Sequence, residues 1–254
     1  MPLPKIATPT YELTLPSTGK KIKFRPFLVH EHKLFLLTLE GLSDKEEDKQ
    51  KNQKNIVDVI KQIAKNCILD PNIDIDSLAL FDVEYIFLQL RAKSINDKLD
   101  LFFKGRSKED TECVECQKQK HIQVDLNSIQ ILKSDKHNKK IQLTDKVGVI
   151  MKYPTYSLYS KMQTLTNSDA VNTGFEYITN CIESIYDETN MYDVSEYSQK
   201  DLYQFIEQLT SSQYEKIEQF FDSMPKLYHK IEMKCKSCGF IQTYEMDSIN
   251  DFFE

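Results

Sequence analysis

Two cysteine pairs, Cys113-Val-Glu-Cys116 and Cys235-Lys-Ser-Cys238, constrain this chain more than any other feature. A CxxC turn lets two sulfurs reach one ion while backbone amides point at them. Structural zinc takes four ligands in a tetrahedron, and thiolates suit it. Gly239, directly after the second pair, supplies the positive-φ conformation such a turn often needs. Strand-like sequence flanks each pair, the plan of a zinc ribbon. About 118 residues separate the pairs, whereas a small ribbon has about 15–20. The intervening segment must therefore leave the ribbon and return. Cys113, Cys116, Cys235 and Cys238 are expected to hold one structural zinc that clamps the topology, contributing on the order of 10 kcal/mol of apparent folding free energy.

Other uses of these thiols fit less well. Disulfides belong to oxidising compartments. A redox CxxC usually sits at a helix N-terminus, and these pairs lie between strands. Catalytic zinc keeps an open position and usually takes His or carboxylate ligands. His121 and His229 are near in sequence, but four thiolates already fill the shell. Cys67 and Cys181 lie on apolar stripes and read as small buried hydrophobes.

Residues 11–15 and 21–24 alternate apolar and polar around Pro16-Ser-Thr-Gly19, which predicts a β-hairpin. Residues 30–40 read as a short helix. Residues 42–55 are almost wholly polar, either a loop or the solvated start of the next helix. Ile56, Val59, Ile60, Ile63, Ala64 and Cys67 recur at helical spacing and end at Asp70-Pro71. A further helix is expected to start near Asp76 or Ser77 and run through LFDVEYIFLQLRAKS at the centre of the core. Strands are expected over 99–103, 121–126 and within 141–153. From 156 to 224 the pattern reads as helical throughout. Phe175, Ile178, Ile182 and Ile185 form one stripe, Leu202, Phe205, Ile206 and Leu209 a second, and Tyr214, Ile217, Phe220 and Phe221 a third. A capping box from Ser212 to Glu215 is expected to open the last. Strands are expected again over 230–233 and 240–245.

The expected fold is α+β: mainly helical, with an N-terminal hairpin and a four-cysteine zinc ribbon formed by two distant knuckles. It divides into a hairpin-plus-helical region (1–97), a ribbon region (98–130 with 226–254) and a strand-then-helical insertion (131–225), integrated into one domain.

The net charge of −6 argues against a protein built to coat nucleic acid. No run is long and apolar enough for a membrane span. The first residues lack the pattern of a signal peptide, so a cytoplasmic setting is expected. There is no glycine-rich phosphate loop, HExxH or nucleophile elbow, and an enzyme has no positive support. His30 and His32 do not share a helix face. The basic run at 133–140, KSDKHNKK, reads as an exposed loop ahead of a phosphate-binding patch.

Several segments together resemble a known family. KIKFRPF is followed by a short helix; then come NCILD, DVEYIFLQLRAKS, CVEC, HIQVDL and DKVGVIMKYPT; FFDSMPKL, CKSCG and a final DFFE close the chain. The pattern is similar to baseplate proteins of T-even-type contractile-tailed bacteriophages, the hub and hub-assembly group. Many members carry a glycine after the RAKS-like segment, where this chain has Ile95-Asn96. The resemblance implies a non-enzymatic role in building the baseplate hub in the infected host's cytoplasm, as a tail component or an assembly factor. The implied partners are other hub proteins and the tape-measure protein. A zinc-ribbon nucleic-acid module acting in phage transcription or replication is the competing reading.

Overall fold

The computed structural model describes residues 6–41, 49–162, 170–247 and 249. The fold is α+β. Strands β1 (Tyr11–Thr14) and β2 (Lys21–Phe24) form the expected hairpin, with Leu13 opposite Ile22 on the buried face. Helix α1 (Val29–Glu40) follows. Helix α2 (Lys49–Cys67) begins well before its apolar stripe, so residues 49–55 belong to a helix and not to a loop. The hairpin is fastened to the end of α2 by hydrogen bonds from Arg25 N to Cys67 O (2.9 Å) and Leu69 N to Lys23 O (2.8 Å).

The next helix does not start at Asp76. Asp74 caps a single 3-10 turn, Ile75–Ser77, and α3 (Leu80–Ser94) begins after it. Val83, Ile86, Phe87, Leu88 and Leu90 of α3 are buried, which makes it the central helix, as its composition predicts. Its last turn closes on Ile95 at φ −116°, a conformation that needs no glycine. Asp82 is fully buried in its first turn and accepts from Ser17 N (3.0 Å) and from the Ser17 hydroxyl. That contact ties the hairpin turn to the start of the central helix.

Strands β3 (Lys98–Phe103) and β4 (Lys120–Asp125) pair antiparallel, with the one-turn helix α4 (Val114–Gln117) between them. After β5 (Gln130–Leu132), strands β6 (Lys140–Gln142) and β7 (Gly148–Met151) lead to helices α5 (Tyr156–Met162) and α6 (Ala170–Asn180). Here the helical expectation fails. Ile182–Tyr186 is strand β8 and Met191–Asp193 is strand β9, and both extend an antiparallel sheet of order β6-β7-β8-β9. Ile182 pairs with Met151 and Ile185 with Val149. Cys181 lies just past α6 and is buried, as expected of a small hydrophobe.

Helices α7 (Gln199–Glu207) and α8 (Ser211–Asp222) complete this part. The cap of α8 is Thr210, whose N–H donates to Gln213 Oε1 (2.8 Å), so the capping residues sit two positions before the Ser212–Glu215 pattern. Strand β10 (Lys226–Lys234) pairs with both β5 and β11 (Ile241–Met246).

Among the described residues the apolar interior forms two clusters. One joins the hairpin, α2, α3, β3, β4 and β10. The other lies between the β6–β9 sheet and helices α6 to α8. They adjoin where Ala79 bridges Thr155 and Phe81 packs edge-on against Tyr153 at 5.0 Å, while the bond from Tyr156 to Val57 O lies within the first cluster.

Candidate metal centre

The β3–β4 and β10–β11 hairpins each carry one CxxC at the tip, and the tips meet. Cys113 Sγ lies 3.8 Å from Cys235 Sγ, and Cys116 Sγ lies 3.4 Å from Cys238 Sγ. All four sulfurs are within 4.8 Å of one another. A tetrahedral ion with metal–sulfur bonds of about 2.3 Å sets its sulfurs about 3.8 Å apart. A disulfide needs about 2.05 Å. The thiols are therefore unpaired and spaced as ligands of one small ion. The four residues singled out in the sequence converge; His121 and His229 are not members of the cluster.

The backbone around each pair is preset. Cys116 N donates to Cys113 O (2.9 Å), and Arg106 N donates to Cys116 O (2.8 Å). On the other side Cys235 N donates to Phe240 O (2.7 Å), and Gly239 N to Cys235 O (2.9 Å). Gly239 sits at φ +74°, the conformation anticipated for it. Gly105 answers a need that the sequence did not reveal. A Cβ there would stand 2.0 Å from Gln117 O, so only glycine lets the incoming strand pass the first knuckle. The first pair also differs from expectation in that Cys113 caps the one-turn helix α4.

Side chains bind the two tips together. The Arg106 guanidinium lies over the Phe240 ring at 4.0 Å, and Phe103 packs on Tyr244 with ring centroids 4.1 Å apart. Beneath them Leu101, Val124, Ile231 and Met246 join the main core. The cluster is thus the outer end of a packed unit.

Its electrostatics act in opposite directions on two of the thiols. Backbone N–H groups of Cys238 and Ser237, with the Cys116 thiol, lower Cys235 to about 6. The hydrogen bond to Cys235, together with burial, pushes Cys116 up to about 12. A metal ion must displace the protons such a set retains, so binding weakens in acid. Lys120, Lys234 and Lys236 line the adjoining cleft with Cys116 and Cys235. Their charge would offset the excess negative charge of four thiolates around a dication.

The remaining candidates stay apart. Cys67 and Cys181 are sealed, and burial pushes each thiol up to about 12. The basic run at 133–140 is mostly exposed, as expected of a loop. Its Lys139 lies over Tyr153 at 4.2 Å, and its His137 contacts Ser223 Oγ (3.0 Å) and Tyr153 Oη (3.1 Å). No helix among the described residues is long and apolar enough to cross a membrane.

Fold and site define an α+β protein whose two distant hairpins are joined by a four-cysteine cluster able to hold a metal ion. The chain belongs to the family described as T4 bacteriophage base plate protein, whose pattern it matches over residues 8–254. No curated protein and no solved structure matches it. Membership places the chain among the phage proteins of the tail baseplate, as the segment-by-segment resemblance implies.

Proposed function

We propose that the protein is a non-enzymatic component or assembly factor of the baseplate hub, acting through contacts with other proteins. Its partners on this reading are other hub proteins and the tape-measure protein, met in the host cytoplasm as the tail is built. The family match across nearly the whole chain carries this reading. The test is a phage lacking the gene: it should accumulate incomplete baseplates, and complementation in trans should restore them. Complete, infectious tails from the deletion phage would refute the reading.

We further propose that the four cysteines bind one structural zinc and that the paired hairpins form a zinc ribbon. Convergence of the sulfurs from tips about 118 residues apart supports this. Metal analysis should find one zinc per chain, with the four thiols shielded from a thiol reagent until a chelator is added. Protein without metal, with all four thiols titrating in the native state, would refute it.

A further inference from the structure

The β6–β9 sheet and helix α7 line an open cleft of about 430 Å³, away from the cysteine cluster. Leu202 and Phe205 of α7 give part of its lining, and Tyr192 and Tyr197 give an aromatic part. Both charged side chains in the lining, Asp187 and Asp201, are acidic. Each is fixed by local donors. Asp187 accepts from Tyr192 Oη (2.7 Å), Thr189 N (2.8 Å) and Asn190 N (2.8 Å). Asp201 accepts from the Ser198 hydroxyl (2.6 Å) and Ser198 N (3.0 Å). These bonds hold both carboxyls below their ordinary range. Neither forms a salt bridge among the described residues, and nearby Lys146 is engaged by Glu188 at 3.0 Å. The cleft therefore joins aromatic rings, an apolar wall and two fixed negative charges outside any salt bridge among the described residues; Lys200 acts on Asp201 only at a distance, and Lys140 lies over the ring of Tyr186 at 4.7 Å, which leaves Tyr192 and Tyr197 as the rings for an incoming cation.

We propose that this cleft is a docking pocket for a cationic side chain, arginine above all, presented by an extended segment of another baseplate protein. The chemistry selects that occupant on three counts. Ring faces attract a guanidinium. The methylene stem of an arginine packs on apolar surface while its head stays polar. The two carboxylates complement its charge and repel an acidic segment. Strand β9 is the edge of its sheet, and its Met191 is 68% exposed, so an extended segment has a strand to lie against. The inference rests on the reading that the protein works by contact with other proteins.

The probe is the peptide acetyl-Ala-Leu-Arg-Leu-Ala-amide, compared with versions carrying citrulline or glutamate in place of arginine. Binding is followed by amide NMR on the full chain. The arginine peptide should shift the resonances of Val147, Leu202 and Phe205. It should bind about five-fold tighter than the isosteric, uncharged citrulline peptide, and the glutamate peptide should not bind. Tyr197→Ala removes a ring that is 43% exposed and should weaken the arginine peptide by a similar factor with unchanged thermal stability. Equal affinity for arginine and citrulline, shifts mapping elsewhere, no binding, or indifference to Tyr197→Ala would overturn the proposal. So would concentration-dependent self-association abolished by Tyr197→Ala, which would make a second copy the occupant. Failure here leaves the hub reading standing, whereas infectious tails from the deletion phage would remove the hub reading without touching the peptide result.

Discussion

Removal of the proposed zinc is the sharpest test of the clamp. An unfolded chain still offers four thiolates, but to use them together it must close a loop of about 118 residues. For a loop near that length the chain-entropy cost is about 5 kcal/mol. The folded chain has already met this cost. Strand β10 pairs with β5 through Lys226↔Leu132 to Tyr228↔Gln130, and its continuation delivers Cys235 beside Cys113. The folded state should therefore bind the ion better than the unfolded state by about 5 kcal/mol, and saturating metal should stabilise by the same amount. For a chain of this size that corresponds to about 10–20 °C in Tm. Circular dichroism melts with and without chelator read it directly. Cys116→Ser should start near the chelated value and respond little to further chelation. Wild-type protein with a full complement of metal whose Tm moves by less than about 2 °C on chelation would refute the reasoning. The loop would then be closed by strand pairing and packing alone.

Three further outcomes are expected. Gly105→Ala forces a Cβ into Gln117 O, so the first knuckle must shift; competition with a chromophoric chelator should show weaker metal binding, while Gly174→Ala, where a Cβ meets nothing within 4 Å, serves as control. Glu31→Gln breaks the Arg25 ion pair (2.9 Å), whose members' side chains are only 16% and 4% exposed, and urea melts should register a loss of about 3 kcal/mol. Burial pushes the Glu31 carboxyl up, but Arg25 and the Leu28 N–H outweigh it and leave its folded pKa below the ordinary 4.5. Its contribution is therefore present above that value and lost as pH falls through the folded one, so Glu31→Gln should flatten the acid limb of a stability–pH curve. Asp82→Ala strips Ser17 of its buried acceptor and should cost about 2 kcal/mol in the same urea assay.

The features readable in the sequence share a local cause. The first hairpin follows from strict alternation around Pro16 to Gly19, and the central place of α3 from a segment apolar on nearly every side. The cysteine spacing foretold the meeting of two tips because CxxC is a complete local unit that needs only a second copy. Strand β8 was hidden for the opposite reason. Ile178, Ile182 and Ile185 satisfy a helical period, and a segment as short as IESIY fits either period. What decides is the open edge of β7, which pairs Ile182 with Met151 and Ile185 with Val149. Asp82 looks like an ordinary first-turn acid, and its partner Ser17 lies 65 residues earlier. Gly105 carries no turn signature, and its necessity appears only when Gln117 O comes alongside.

The placement of the six thiols makes the chain its own reporter. Cys67 and Cys181 have no exposure and lie in different core clusters, while the other four sulfurs share one site at the surface end of the hairpins. Alkylation at rising temperature should then advance in two waves. Loss of the proposed ion should open four thiols, and melting of the interior the last two. Mass spectrometry of the labelled chain would separate a protein with a loosened clamp from one that has unfolded, and would show which core cluster yields first.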